Sequence, residues 1–232
     1  VVMAGIKDMI LEKNIKKIQE AGFTAVVYAQ DENCKNTTRS LAGIFSPGTF
    51  FQEDSTSLSN NITCIWVDLF ENKFLFKGKF VVVGISNIDI YTGKTSIFQF
   101  KEPYVNNPTT FDELERFISI YNPSEVIFIS NLSDKEIDNI INYVDIKCSL
   151  IHKINTLTFD KKDSLTLLRV KNCEKQTYQR EILNKFYKII DFDVFFQNFN
   201  ENNIACQSFC FLLDFVYQHN PYLVNKISEP IF

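Results

Sequence analysis

Residues 80–100 read FVVVGISNIDIYTGKTSIFQF, two apolar stretches separated by a short polar turn. Val, Ile and Phe dominate residues 80–90 and 95–100, which predicts two β-strands, and Tyr91-Thr92-Gly93-Lys94 predicts the tight turn between them. The apolar residues 62–70 predict a further strand just upstream. Consecutive strands with short connections pair antiparallel, so this region predicts a three-stranded antiparallel sheet.

Downstream of this hairpin, helices alternate with strands. Two capping boxes, Thr110 with Glu113 and Ser133 with Glu136, each predict the start of a helix. The apolar residues 125–130 (EVIFIS) predict a central strand. A last strand is predicted at residues 147–154, and helices at residues 175–190 and 202–218. This order, three antiparallel strands and then helix, strand, helix, strand and terminal helices, is that of the ribonuclease-H-like fold, so the predicted fold class is α/β.

The first 60 residues follow a different pattern. Asp8 is suited to cap a helix and Gly22 to end it. Strands are predicted at residues 23–30 and 39–46, and a polar linker at residues 50–60. We therefore predict a small, partial mixed α/β domain over residues 1–52 and a ribonuclease-H-like domain over residues 53–232.

Composition limits the classes of protein to consider. The 232 residues are 45% hydrophobic and 22% charged, which is typical of a packed globular protein, and the net charge of −4 argues against a broad cationic surface. Six cysteines without a CxxC pair indicate a reducing, intracellular compartment. No apolar run approaches the roughly 18 residues of a membrane span, which predicts no membrane contact. The abrupt ends at Val1 and Phe232 suggest a piece of a larger protein.

Catalysis by two metal ions on this fold requires carboxylates from the middle of the first strand and the end of the fourth, because the ions are held about 4 Å apart by shared oxygen ligands. Residues 63–65 in the middle of the first strand are Thr, Cys and Ile, and Asp68 comes only at its end. The fourth strand ends in the neutral Ser130 and Asn131. Asp89 has no visible partner. The sequence therefore predicts that the chain is not a nuclease.

Other polar and aromatic residues are interpreted as structural. His152 falls in a predicted strand and is interpreted as a core or edge residue, and His219 as a cation favoured at a helix end. Cys206 and Cys210 are interpreted as core packing rather than metal ligands. The Phe-rich residues 193–200 are interpreted as a turn packed between two helices, with a partner-docking patch as the alternative.

Five strings, in order along nearly the whole chain, resemble the MutS family of DNA mismatch repair proteins. They are MAGIKDMILEKNIKKIQEAGFTAVVYAQD (3–31), RSLAGIFSPGT (39–49), SNIDIYTGKTSIFQF (86–100), NPSEVIFISN (122–131) and FCFLLDFVYQHNPYLVNKISEP (209–230). The resemblance implies that residues 1–52 are the end of a mismatch-recognition domain and that residues 53–232 are the connector domain, which has a ribonuclease-H-like fold.

The resemblance also implies a set of DNA-contacting residues. In this family the MAG segment runs beside the DNA minor groove, and the strand at residues 39–46 carries a basic residue. The implied DNA-binding residues are Met3, Ala4, Gly5, Lys7 and Arg39. The alternative is that Met3 and Ala4 only pack and that Gly5 only makes a turn. The family's Phe-x-Glu element, which contacts the mismatched base, belongs upstream of the MAG segment and is expected to lie outside this chain. Gly43 stands where the family often has arginine.

The family's partners and cofactors complete the expectation. The resemblance implies binding of mismatched double-stranded DNA through the parent protein, docking of a MutL-like protein, and a dimeric parent. ATP and Mg belong to an ATPase domain outside this chain, so no cofactor is expected within it. The expected role is a non-catalytic relay between mismatch binding and the ATPase. The alternative is a ribonuclease-H-like protein–protein adaptor without any DNA contact.

Overall fold

A computed structural model describes residues 5–30, 38–50, 58–72, 78–105, 108–157, 164–189 and 191–232. Its strands form two sheets, one of two strands and one of five. No helix within these ranges combines the length and the apolarity needed to cross a membrane. Met3 and Ala4 lie outside the described residues.

The smaller sheet belongs to an N-terminal unit that begins with a 3-10 turn (Asp8–Ile10) and helix α1 (Leu11–Glu20). Strands β1 (Ala25–Gln30) and β2 (Arg39–Phe45) pair antiparallel beside α1. Ile15, Ala25 and Phe50 form the small core between helix and strands. Gly22 ends the helix with φ +79°, as predicted. Asp8 does not cap the helix, because the chain makes a 3-10 turn first and α1 begins after Ile10.

The five-stranded sheet has the strand order β5-β4-β3-β6-β7. Its strands are β3 (Asn61–Asn72), β4 (Gly78–Asp89), β5 (Thr95–Pro103), β6 (Glu125–Ser130) and β7 (Leu150–Asn155). β4 pairs antiparallel with β3 and β5, whereas β6 pairs parallel with β3 and β7. The mixed α/β sheet with the ribonuclease-H-like strand order is thus confirmed.

Helices cover both faces of this sheet. On one face α2 (Asp112–Tyr121) and α3 (Asp134–Tyr143) pack on alternate strand residues such as Ile65 and Val67. The other face, which includes Cys64 and Trp66, lies under four helices. These are α4 (Ser164–Cys173), α5 (Gln176–Phe186), α6 (Phe192–Gln197) and α7 (Asn203–His219). Since both faces are covered, the central strand β6 is buried at every residue, and its sequence is correspondingly apolar.

Two local predictions are corrected by the structure. Residues 193–200 contain the helix α6 rather than a simple turn, with Phe195, Phe196 and Phe199 buried in the core. The Ser133–Glu136 capping box is present, but the Thr110–Glu113 box is wrong. Pro108–Phe111 forms a 3-10 turn, so α2 begins after the predicted cap, and the Thr110 hydroxyl donates to the Pro103 carbonyl instead.

Asp89, for which the sequence suggested no partner, is part of the β4–β5 turn. Its carboxylate accepts hydrogen bonds from the Thr92 hydroxyl (2.6 Å) and from the backbone N–H groups of Asn60 and Tyr91. Gly93 has φ +73° and lies so close to the Lys226 carbonyl that a Cβ there would meet it at 2.0 Å. Asp89 is therefore a structural residue of the turn.

The cysteines that the structure describes are free thiols. Cys206 and Cys210 are buried among the apolar side chains of α7, as the packing interpretation predicted. Burial raises the pKa of the Cys64 thiol to about 12. Within the described part of the chain, no group of three or more His, Cys, Asp or Glu residues has the geometry to hold a metal ion.

Candidate nucleic-acid interface and its junction with the five-stranded sheet

The three described members of the implied DNA-binding set all lie on the surface of the N-terminal unit. Gly5 and Lys7 precede α1, and Arg39 begins β2, opposite Gln30. All three are exposed, and neither Lys7 nor Arg39 forms an ion pair with another described residue. A Cβ added at Gly5 would meet nothing within 4 Å, so packing within the described chain does not require glycine there. The DNA-binding assignment of this set stays a prediction.

Apolar side chains are exposed on the same unit. Met9, in the 3-10 turn that leads into α1, is 96% exposed. On the β1–β2 ribbon, Val26, Tyr28 and Leu41 are each more than half exposed. The sequence pattern did not separate these residues from core residues, because each belongs to an ordinary apolar stretch.

A buried carboxylate joins the N-terminal unit to the five-stranded sheet. Glu125, the first residue of β6, is fully buried, and its Oε2 accepts a hydrogen bond from the Gly48 N–H at 2.7 Å. Its Oε1 lies 2.6 Å from Nε2 of His152 on β7. A carboxylate oxygen only accepts, so the imidazole Nε2 is the donor. Glu125 thus connects the turn at residues 46–49 with the strand at the edge of the sheet.

The turn at residues 46–49 is held from other directions as well. The Asn60 side chain donates to the carbonyls of Pro47 and Phe50, at 3.2 and 3.1 Å. From α1, the buried Gln19 side chain donates to the Ser46 carbonyl at 2.9 Å. Phe50 and Asn60, at the two ends of the predicted linker, are both buried, so the described ends of that segment are anchored.

The sequence did not identify this junction. The strings RSLAGIFSPGT and NPSEVIFISN were recognised separately, and their contact was not predicted because Gly48 and Glu125 are 77 residues apart. The sequence did contain one indication of it: Glu125 is the first residue of a central strand that is otherwise almost entirely apolar. A buried acid requires hydrogen-bond donors close to it.

His152 continues the contacts toward the end of α7. Its ring packs edge-on against Phe215 with centroids 5.5 Å apart, and Phe215 stacks on His219 at 4.1 Å. The His219 Nδ1 donates to the Phe215 carbonyl at 2.8 Å. Burial lowers the pKa of His219, and this hydrogen bond offsets only part of that effect. His219 lies in the last turn of α7, as predicted, but the lowered pKa disfavours the cation that the sequence suggested there.

The positions where this fold can hold catalytic acids have structural roles here. The Cys64 carbonyl accepts a hydrogen bond from the Ser208 hydroxyl on α7, at 2.7 Å. The Ser130 hydroxyl donates to the Val67 carbonyl, and the Asn131 amide bonds both the N–H and the carbonyl of Leu69. The Cys64 contact joins β3 to α7, and the Ser130 and Asn131 contacts join β3 to the end of β6, so these groups are engaged in structural hydrogen bonds.

Asp68 is the acid nearest to those positions. Burial raises the pKa of its carboxyl from 3.8 to about 6, a hydrogen bond with the Trp66 side chain offsets part of this rise, and the Glu174 carboxylate adds to it. A raised pKa is common among catalytic acids, but it also results from simple burial beside a like charge. Among the described residues, Asp68 belongs to no group of three or more His, Cys, Asp or Glu side chains that could hold a metal ion.

No protein-family model matches the chain. Among curated proteins it is 24% identical over 241 residues to a DNA mismatch repair MutS homolog of Acanthamoeba polyphaga mimivirus, covering 97% of this chain and 21% of that protein. It is 22% identical over 199 residues to the DNA mismatch repair protein MutS of Thermosipho melanesiensis, covering 82% of this chain and 21% of that protein. The chain thus spans about a fifth of the length of these relatives.

Among solved structures, the chain aligns with Fowlpox virus resolvase in complex with its substrate Holliday junction DNA. The alignment has 17% sequence identity and a TM-score of 0.26, and it covers 66% of this chain and 96% of the resolvase chain. A score that low supports no conclusion about function. The two curated relatives, in contrast, agree with the five motif strings. The chain is therefore a diverged MutS-like sequence, as its motifs predicted.

Proposed function

We propose that this chain is a non-catalytic relay of DNA mismatch repair, which connects a mismatched-DNA-binding unit to an ATPase located elsewhere in the protein. The observation that supports a relay most directly is the junction at Glu125. A buried carboxylate hydrogen-bonded to Gly48 on one side and to His152 on the other joins the N-terminal unit to the ribonuclease-H-like sheet. A relay needs such a connection, because a displacement of one unit must change the structure of the other.

The absence of catalysis is proposed on chemical grounds. Cys64, Ser130 and Asn131 occupy the positions where carboxylates would be needed, and each makes structural hydrogen bonds. Burial keeps the Cys64 thiol protonated at neutral pH, which also removes it as a thiolate ligand. A two-metal site would therefore lack the anionic oxygen ligands on which it depends.

We expect the purified chain to leave both duplex DNA and an RNA–DNA hybrid uncut in the presence of Mg²⁺ or Mn²⁺. The measurement is a gel assay of end-labelled substrates with increasing protein concentration. Asp68→Asn serves as the matched variant, since it neutralises the acid nearest to the usual catalytic positions. Metal-dependent cleavage that disappears in Asp68→Asn would show that the chain is a nuclease.

DNA contact is proposed for the exposed surface around Lys7 and Arg39. Both side chains are exposed without an ion-pair partner among the described residues, so each is available to neutralise a phosphate. Gly5 leaves room for close approach of another molecule. The net charge of −4 limits the strength of this binding, because the remaining surface repels a polyanion.

We expect weak DNA binding whose affinity falls with salt, and a single substitution Lys7→Gln or Arg39→Gln lowers the slope of log K against log [salt] by about 1. Fluorescence anisotropy of a labelled duplex at several salt concentrations measures this slope. Lys135→Gln, an exposed lysine on α3, is the control and leaves it unchanged. Equal slopes for all four proteins favour the adaptor function without DNA contact.

The remaining parts of the proposal rest on the resemblance to the MutS family. They are docking of a MutL-like protein on the ribonuclease-H-like domain, and dimerisation of the parent protein. Both are testable on the full-length protein, by co-sedimentation with its MutL-like partner in the presence of ATP and mismatched DNA. Sedimentation as a monomer that never binds this partner would count against both.

A further inference from the structure

We propose that Glu125 is a positioning residue for the N-terminal unit. In this proposal His152, Phe215 and His219 form a path by which a displacement of the turn at residues 46–49 reaches the carboxyl end of α7. This deepens the proposed relay function by naming the contacts that carry it. The path itself is a property of the fold, and its test does not require DNA, ATP or a partner protein.

The first step of the path is rigid. A Cβ at position 48 would lie 2.8 Å from both Cβ and Oε2 of Glu125 and 3.0 Å from Cβ of Ile62, so only glycine lets the backbone come this close. Glu125 is fully buried, which prevents water from replacing the Gly48 N–H as a donor. A shift of the turn therefore either moves the carboxylate or leaves it without one of its donors.

The second step transfers the shift to β7. The two carboxylate oxygens are used separately, Oε2 by Gly48 and Oε1 by His152. Because both bonds belong to one planar group, a rotation that follows Gly48 changes the geometry of the bond to His152. His152 is free to respond, since its ring borders a cavity of about 400 Å³ next to Phe215.

The third step reaches the end of α7. The His152 ring contacts Phe215, and Phe215 stacks on His219, the last residue of the helix. His219 is held to its own helix through the Phe215 carbonyl. A change in the Phe215 rotamer would therefore change the surroundings of His219 and the exit of the chain into the 3-10 turn Pro221–Lys226. The rings of His152, Phe215 and His219 contact one another in sequence, so a displaced ring acts on its neighbour directly.

The composition of the chain provides a direct test. Its two histidines, His152 and His219, both lie on the path, so an NMR spectrum of the histidine Cε1–H protons contains two signals. Spectra are recorded at a pH well above the histidine titration range, and His152→Gln and His219→Gln assign the signals. We expect Gly48→Ala to shift both signals by more than a linewidth. In a Phe215→Leu background, Gly48→Ala should no longer shift the His219 signal.

Gly43→Ala is the matched control. Gly43 lies on β2 of the same unit, and the atoms nearest to its added Cβ belong to the Phe45 ring rather than to Glu125, so this variant disturbs the ribbon instead of the Glu125 junction. It should leave both signals in place. If Gly48→Ala does not fold, Glu125→Gln replaces it, because this variant keeps the volume and changes the partner of His152. Since the Glu125 charge also acts on His219 directly, the variant is compared with and without Phe215→Leu, and the His219 shift should be smaller in the Phe215→Leu background.

A shift of the His152 signal with an unchanged His219 signal would overturn the proposal, as would equal shifts in Gly48→Ala and Gly43→Ala. A negative result for this path can be distinguished from a negative result for the proposed function. The salt dependence of DNA binding depends on Lys7 and Arg39, whereas the histidine signals are recorded without DNA.

Discussion

Replacing Gly84 by alanine is expected to lower the free energy of unfolding by about 3 kcal/mol or more. Gly84 lies on β4 directly beneath the start of α7. A Cβ at this position would lie 2.3 Å from both the Ala205 nitrogen and the Ile204 carbonyl carbon. These are backbone atoms, which cannot move aside as the end of a flexible side chain can. Urea denaturation followed by fluorescence of Trp66, the single and fully buried tryptophan, measures the loss.

The first turn of α7 cannot easily move away from the added methyl group. The backbone N–H groups of Ile204 and Ala205 both donate to Gln99 Oε1 on β5, at 2.9 and 3.1 Å. These are amides that the helix itself leaves without partners at its beginning. Movement of the helix would therefore lose these hydrogen bonds as well as the packing of α7 on the sheet.

Gly78→Ala is the matched control for Gly84→Ala. Both glycines lie on β4, but a Cβ at Gly78 would meet nothing within 4 Å. The same change in chemistry should alter the free energy of unfolding by no more than about 0.5 kcal/mol. Similar losses of unfolding free energy in the two variants would show that the backbone of α7 does not contact Gly84 closely.

Asp68→Asn is expected to stabilise the protein above pH 6 and to have little effect at low pH. Burial raises the pKa of the Asp68 carboxyl from 3.8 to about 6. The carboxyl therefore contributes stability that is fully present below pH 3.8 and is lost as the pH rises through about 6. Asparagine stays neutral at every pH, so its advantage at pH 7.5 should be about 1 to 3 kcal/mol.

The measurement is urea denaturation of the wild type and Asp68→Asn at several pH values between 4 and 8. Trp66 also reports the ionisation directly, because its side chain hydrogen-bonds to the Asp68 carboxyl. The wild-type Trp66 fluorescence should titrate near pH 6, and that step should be missing in the variant. Glu181→Gln, an exposed acid on α5, is the control. A variant less stable than wild type at pH 7.5 would mean that the Asp68 carboxylate has a favourable partner.

Local sequence patterns predicted most of the five-stranded domain. The apolar runs of β3, β4, β5 and β6 are short and bounded by turn residues, so each strand is readable without its neighbours. The helices α4 and α6 were missed for a physical reason. On α4, Leu165 and Leu168 are exposed while Leu167 and Val170 are buried, so apolar residues surround the helix and no single stripe marks it. α6 has only six residues and few turns to show a period.

Of the two predicted capping boxes, one forms and one does not, and the residues just before the helix decide which. Ser133 and Glu136 form the predicted box, with the Ser133 N–H donating to the Glu136 carboxylate at 2.9 Å. At Thr110 the same pattern failed because Pro108 begins a 3-10 turn and shifts the helix start to Asp112. Such a shift depends on how the preceding strand ends, which the local pattern does not contain.

The sequence by itself determined the strand order, the family resemblance and the lack of carboxylates at the usual catalytic positions, because each follows from residues close together along the chain. Only the tertiary structure decided what Glu125 does. Its partners Gly48 and His152 lie 77 and 27 residues away, and folding brings all three to the same end of the sheet. A buried carboxylate needs donors within hydrogen-bonding distance. Because Glu125 finds these donors in Gly48 and His152, this one acid joins the N-terminal unit to the five-stranded sheet.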